Sequence, residues 1–343
     1  MFESPQGHVK HENVQVCDPS SGTVVISISV IIPAFNRAGI IREALSSVHA
    51  QTRSPLETIV IDDASADGTA DVAEREGARV IRLEQNRGAA AARNEGIRAA
   101  RGDAIALLDS DDYWEPHHLA TVTSLLERHP EAAAAGTAVR FVGTKSGVWK
   151  GRIPEGPPTV VVREAFRDWL TPTSSTVVRR DALLSVGGYD ESERYSEDFD
   201  LWLRLARRFR FVASREITAS CRSHADQLSA NLERQWLARY KFRLRALEAI
   251  RREGDAQLAE ELSEILRSHW SNDVQRAWDD GRSVWLKHLV SLAPRIPELP
   301  SAQRRRWELR SRIPESARPI CQAMVRVARS AMGAATSGTR SKS

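Results

Sequence analysis

Over the first third of the chain, short runs of apolar, often β-branched residues take turns with segments whose apolar positions recur at helical spacing. Residues 24–32, 58–61 and 104–108 are the strongest runs, and a weaker one covers 78–83. Between them, 38–51 and 66–76 carry helix-spaced apolar positions, and 89–100 is rich in alanine with Gly102 as a stop signal. This βαβαβ alternation predicts a parallel sheet covered by helices. Ligands of such sheets collect beyond the carboxyl ends of the strands, where loops and helix N-termini converge. Residues 33–36, Asp62-Asp63 and 109–112 all sit at such ends, so three loops can share one site.

After Glu115 the pattern predicts a helix to about His129, and the Gly-, Pro- and Trp-containing stretch 136–158 reads as sheet edge and loop. Residues 181–211 hold a short helix, the turn Gly187-Gly188, and a helix with Leu201, Trp202, Leu205 and Phe209 on one face. Residues 232–269 read as one long helix-patterned stretch, and Pro294, Pro297 and Pro300 then break the pattern. The expected division is a flexible leader over 1–23, a catalytic domain over 24–230, a helical extension over 231–332 that turns basic toward its end, and a disordered tail over 333–343.

Composition narrows the class. A chain of 343 residues with 41% hydrophobic and 27% charged residues has the balance of a folded globular protein. Cys17, Cys221 and Cys321 are odd in number and far apart, so neither a disulfide framework nor a CxxC metal knuckle is available. The first 21 residues lack the apolar stretch of a secretory signal, and no apolar run approaches the roughly 20 residues that span a bilayer. A cytoplasmic location is the expectation. The formal charge of +4 is modest and gives no reason to expect nucleic acid. The basic excess gathers at Arg304, Arg305, Arg306, Arg310, Arg312, Arg318, Arg326 and Arg329. That segment reads either as a solvated or helix-packing face, or as a peripheral contact with anionic lipid at the inner membrane face.

Asp109-Ser110-Asp111-Asp112 is the most informative element. Three carboxylates within four residues after an apolar strand repel one another, and a hard cation such as Mg²⁺ or Mn²⁺ relieves that repulsion. Such an ion bridges two phosphates and stabilises the charge of a departing nucleotide diphosphate. The structural reading is an acidic turn that caps the following helix.

Around this element lie further candidates. Asp63 reads as an acceptor for the N3 hydrogen of uracil, whereas Asp67 and Thr69 read as caps of the next helix. Phe35, after Pro33, suits the flank of a nucleobase or the core. Arg93, on a helix of small residues, suits a phosphate or pyrimidine. In 195–202, Asp198 is the first choice and Glu197 the second for a general base that takes the proton of an attacking hydroxyl. The bland reading is that these acids complement a helix dipole. A base on one face and a leaving group on the other give a single inverting displacement. His224 lies in a polar loop, where a lone histidine is more often structural than ligating.

Six segments in order carry a family resemblance: SVIIPAFNRAGIIREALSSVHAQT, IVIDDASADGT, NRGAAAARNEG, ALLDSDDYWEP, VGGYDESERYSEDFDLWLRLA and RSHADQLS. Over roughly residues 24–229 the chain resembles the family 2 glycosyltransferases of the GT-A fold. The resemblance implies an α/β, Rossmann-like mixed sheet flanked by helices, here followed by a C-terminal helical extension. It implies metal-dependent, inverting transfer from a nucleotide-diphosphate sugar, with UDP favoured, to the hydroxyl of a saccharide or lipid-linked saccharide in bacterial cell-surface polysaccharide or glycolipid synthesis. Pro33, Phe35 and Asp63 would line the base site with Arg93 in support, and Asp109 and Ser110 would approach the nucleotide. Asp111 would hold Mn²⁺ or Mg²⁺, Asp109 or Asp112 would reach ribose or metal, His224 could complete the metal site, and Asp198 would be the base. Phe35 stands where many relatives have tyrosine, which removes a hydroxyl and keeps the stacking surface.

Three other classes compete. A sugar nucleotidyltransferase would need a glycine-rich, basic loop after the first strand, which is missing. An aspartyl-phosphate phosphohydrolase normally carries its DxD after the first strand, not a later one. A sugar-nucleotide-binding protein without turnover would not need Asp63, Asp111 and Asp198 together.

Overall fold

The computed structural model describes residues 25–144, 146–223, 232–319 and 322. The expected leader and tail, with Arg326 and Arg329, lie outside them.

Strand β1 (Ile28–Ala34) is buried along its whole length, so both of its faces must be covered. Successive residues point to opposite faces: Val30 and Ile32 join one apolar cluster and Ile31 the other. The first half alternates regularly through α1 (Ile41–His49), β2 (Glu57–Asp62), α2 (Thr69–Arg75), β3 (Arg79–Arg82), α3 (Ala89–Ala99) and β4 (Ala104–Leu107). Strands β1 to β4 are parallel in the order β3-β2-β1-β4, as the alternation predicts. The rest comprises β5 (Tyr113–Trp114), α4 (His118–Arg128), β6 (Ala132–Gly143), β7 (Gly147–Trp149), α5 (Pro158–Arg167), β8 (Thr176–Arg179), α6 (Arg180–Ser185), α7 (Glu197–Ala206) and β9 (Arg210–Ser223). The sheet continues from β4 through an antiparallel β8 to β6, β9 and β5, which makes it mixed.

Helices α1 and α4 cover the face that carries Val30, while α3, α5 and α7 cover the face that carries Ile31. Helix α3 packs close because it is small: a Cβ on Gly96 would lie 2.4 Å from Ile31 Cγ2. That close approach brings Arg93 to the strand ends. Beyond β9, α8 (Leu232–Arg252), α9 (Ala256–Asp279), α10 (Ser283–Leu292) and α11 (Ser301–Ser311) extend the second core without a break, from Ile31 to Trp307. Tyr240 donates a buried hydrogen bond to Asp273 at 2.7 Å, locking α8 to α9.

Two local expectations are corrected. The stretch read as sheet edge contains β6, an interior strand between β8 and β9, and only β7 stands off the main path. That strand begins at Ala132, ahead of the stretch read as edge, and Ala132 to Ala135 are buried with large side chains from the helices packed over them. The single long helix is two. Gly254 takes a left-handed φ of +85° and Asp255 caps α9 by accepting the Leu258 N–H at 2.9 Å.

Candidate active site

Two loops at the carboxyl ends of β1 and β2 are laced together by side chain to backbone bonds, and the loop after β4 lies at the same edge of the sheet. The Asn36 N–H donates to Ser65 Oγ at 2.9 Å, the Ala66 N–H to Asn36 Oδ1 at 3.0 Å, and the Ala38 N–H to Asp67 Oδ2 at 3.0 Å. Asp67 also accepts from the backbone and hydroxyl of Thr69, the first residue of the next helix, while the Thr69 hydroxyl accepts the Arg37 N–H at 2.7 Å; Asp67 thus holds the helix start and Thr69 caps no helix N–H. Phe35 projects from this lacework with 43% of its surface exposed, while Pro33 stays buried in β1. An exposed phenyl ring beside polar loops is available to a flat ligand.

Asp63 is buried, and its two oxygens accept the N–H groups of Arg87 and Gly88 at 2.7 and 2.8 Å. The carboxylate therefore fixes the entry to α3. A carboxylate has about four acceptor positions, so outward-facing lone pairs remain for a ligand donor.

One α3 turn further on, Arg93 crosses from the sheet to α7. Its guanidinium bonds Asp109 at 2.7 Å and Glu197 at 2.8 Å and stands over the Tyr189 ring at 5.2 Å from the centroid. Burial works against the Arg93 cation, but Asp109, Tyr189 and Glu197 outweigh it and hold its pKa well above the usual arginine range. Its Nε carries no hydrogen-bond partner. Arg93, expected to support the nucleotide site, joins the acidic loop after β4 to the start of α7.

The four residues 109–112 separate into two orientations. Asp109 and Asp111 are half-buried, whereas Ser110 and Asp112 are buried. Asp112 accepts the Ser174 hydroxyl at 2.6 Å and the Arg222 N–H at 2.7 Å. Burial, then the charges of Asp109 and Asp111, raise the Asp112 pKa against those two hydrogen bonds. Ser174 also accepts the Asp109 N–H at 3.1 Å, and Arg222 donates to the Asp111 carbonyl at 3.1 Å. The loop is thus held from below, with Asp109 and Asp111 toward the open side. Two carboxylates so placed, one already paired to Arg93, fit a hard divalent cation that completes its shell with phosphate oxygens. Among the described residues no three His, Cys, Asp or Glu side chains form a metal-binding group. His224 lies outside the described residues.

Asp198, in the first turn of α7, accepts the Trp169 indole N–H at 2.8 Å and the Phe199 N–H at 2.8 Å. Burial and the neighbouring Glu197 push its pKa up to about 6, against Arg239 and Arg93. Glu197 is already paired to Arg93, so of the two candidate bases Asp198 is the one that, among the described residues, has no cation bonded to it at hydrogen-bond distance. Trp169, Ser174, Arg222 and Arg239 were not singled out from the sequence. Nothing in the sequence ties Trp169 or Ser174 to a particular carboxylate.

Residues 29–186 match the family model described as Glycosyl transferase family 2. The chain carries a family 2 glycosyltransferase domain. This glycosyltransferase is 27% identical over 221 residues to TuaG of Bacillus subtilis (strain 168), named as a teichuronic acid biosynthesis glycosyltransferase; the match spans 62% of this chain and 84% of TuaG. Its fold is similar to that of S. aureus TarS 1–349, solved in complex with UDP-GlcNAc, with a TM-score of 0.64 and 21% identity over 80% of this chain and 82% of that one. It is also similar to the mannosyltransferase PcManGT from Pyrobaculum calidifontis, solved with GDP-Man and Mn²⁺, with a TM-score of 0.51 and 19% identity over 87% of each chain. The glycosyltransferase has the GT-A fold, with helices following it.

Proposed function

We propose that this glycosyltransferase moves a sugar with inversion from a nucleotide-diphosphate donor, UDP-linked for preference, to an acceptor hydroxyl in the synthesis of a bacterial surface polysaccharide or glycolipid. The observation that carries this reading is the Arg93 bridge, which sets the acidic loop and the first turn of α7 side by side. A donor held at Asp109 and Asp111 then has its anomeric carbon directed toward Asp198. The names and ligands of TuaG, TarS and PcManGT support the polysaccharide context, the UDP-sugar and a divalent ion respectively.

In this reading Phe35 flanks the base, Pro33 shapes its wall and Asp63 accepts from it. Asp109 and Ser110 approach the ribose, and Asp111 holds Mn²⁺ or Mg²⁺ with His224 as a further ligand. Asp112, turned inward, serves the loop rather than the ion. When bound, the ion would neutralise the diphosphate leaving group. Asp198 takes the acceptor proton as the acceptor oxygen bonds the anomeric carbon and the bond to the diphosphate oxygen breaks on the opposite face.

A donor screen tests the reading: nucleotide diphosphate release is measured across UDP-, GDP- and dTDP-sugars with Mn²⁺ present. Release from UDP-sugars that Asp198→Asn abolishes is the expected result; release from none of them overturns it.

The basic end serves partly in packing. Arg310 lies over the rings of Trp278 and Trp307, and Arg318 is buried against Ser283 and the Ile313 carbonyl. Arg305, Arg306 and Arg312 are exposed and remain available to an anionic surface. Among the described residues no helix is long and apolar enough to cross a membrane. Sedimentation with anionic liposomes, with and without deletion from Ser301 onward, tests this contact; equal sedimentation ends it.

A further inference from the structure

Trp169 touches the base that the proposed function assigns, and it does so through its only polar atom. It follows α5, and its backbone is fixed on both sides: the Trp169 N–H donates to Asp168 Oδ1 at 2.8 Å and the Arg152 N–H to the Leu170 carbonyl at 3.2 Å. Asp168 is in turn paired with Arg152 at 3.2 Å and approached by Arg239 at 3.8 Å. A second indole stands beside it. Trp149, the last residue of β7, has its ring centroid 6.0 Å from that of Trp169, with the planes inclined by 42°. Both residues are only partly buried: Trp169 packs against the apolar cluster of Ile31 and Trp149 against that of Val30, and neither is fully enclosed. Trp149 is held out on β7, the strand that stands off the main sheet path.

We propose that Trp169 is a positioning residue for Asp198 and that Trp149 and Trp169 together form the acceptor subsite, whose ligand is a pyranose ring. The inference rests on the reading of Asp198 as the base. A pyranose has an apolar C–H face that stacks on indole and a hydroxyl rim at right angles to it. A ring stacked on this pair presents a rim hydroxyl to the carboxylate that the same indole N–H holds. Binding of the acceptor and aim of the base are then set by one side chain.

The Trp169 N–H favours the charged form of Asp198, as do Arg239 from α8 and Arg93 from α3; Glu197 opposes it, and Asp168 faces Arg239 from the Trp169 loop. Removing the N–H while keeping a ring must therefore move the titration of the base upward. Trp149 makes no bond to Asp198, and its removal should leave that titration in place.

The test uses the full chain with Mn²⁺ and UDP-GlcNAc or UDP-glucose, whichever it hydrolyses faster. The pH profile of donor hydrolysis is recorded for wild type, Trp169→Phe and Trp149→Ala. Transfer is measured to para-nitrophenyl glycopyranosides and, separately, to glycerol and ethanol. Trp169→Phe should shift the acid limb up by about half a pH unit or more, with UDP affinity unchanged. Trp149→Ala should raise the glycoside KM about tenfold with the acid limb unmoved. Trp149→Phe, which keeps a stacking face, should recover most of it. An unmoved limb in Trp169→Phe overturns the positioning role. A glycoside KM unaltered in Trp149→Ala, or transfer confined to the non-sugar alcohols, overturns the subsite. Asp198→Asn run alongside separates the two readings: full turnover there removes the base and the positioning role with it, while the glycoside KM still decides the subsite.

Discussion

Arg93 and Glu197 are 104 positions apart in the chain and 2.8 Å apart in the structure. The same guanidinium holds Asp109 at 2.7 Å, so one buried cation joins the acidic loop after β4 to the helix that carries Asp198. Two carboxylates that would otherwise repel across the cleft are drawn toward a common centre.

Removing that cation leaves Asp109 and Glu197 uncompensated. Arg93→Met should lower stability by about 3 kcal/mol, at the lower end of the cost of breaking a buried ion pair because the Asp109 side chain is 35% exposed. Arg93→Lys should recover part of this, since an ammonium cannot span two carboxylates as a planar fork does. Denaturant unfolding checks both; a midpoint unchanged in Arg93→Met contradicts the role of the bridge.

The bridge depends on a turn remote from it in sequence. Gly188 has φ +66°, and a Cβ there would lie 2.5 Å from Asn94 Oδ1, which accepts the Tyr189 N–H at 2.8 Å. Asn94 also donates to the Tyr189 carbonyl at 2.9 Å, and the Tyr189 ring lies beneath Arg93. Gly188→Ala combines left-handed backbone strain with the loss of these bonds and should destabilise by about 2–4 kcal/mol. Thermal unfolding within a degree of wild type would refute this account.

The strand ends that build the site were legible because apolar runs bounded by polar loops mark their own limits, as at Leu107 followed by Asp109. What was not legible is pairing across the chain. Nothing near Arg93 in sequence announces Glu197, and nothing near Asp198 announces Trp169, because those partners are chosen by how α3, α5 and α7 stack on the Ile31 face of the sheet. The orientation of the acidic loop was hidden for the same reason. Asp112 turns inward only because Ser174 and the Arg222 amide stand beneath it. The second half of β6 was read as sheet edge because the sequence around it does not show that β8 and β9 flank it on both sides.

The half-buried pair Asp109 and Asp111 leads to a prediction on metal dependence. UDP affinity measured by calorimetry should fall at least about tenfold when Mn²⁺ is replaced by EDTA, and Asp111→Ala should match the chelated wild type whether or not Mn²⁺ is present. Asp112→Asn should instead retain metal-dependent binding and lose stability. Metal-independent affinity in the wild type is incompatible with this assignment.

With Asp198 as the proposed base, its titration should set the pH dependence of turnover. Burial and Glu197 raise it from the usual carboxylate range to about 6, and a general base works only when ionised. The rate should therefore be level above about pH 7 and fall about tenfold per unit below about pH 6. Glu197→Gln removes the neighbouring negative charge and leaves Arg93 paired with Asp109 alone, so that more of its charge acts on Asp198; both effects favour the carboxylate and move the acid limb to lower pH. Arg239→Met takes away a cation that favours the carboxylate and moves the limb the opposite way. Asp198→Asn should cost about 10²–10⁴ in kcat with nucleotide affinity retained. If Glu197→Gln and Arg239→Met displace the limb in the same direction, another group is titrating and Asp198 is not the base.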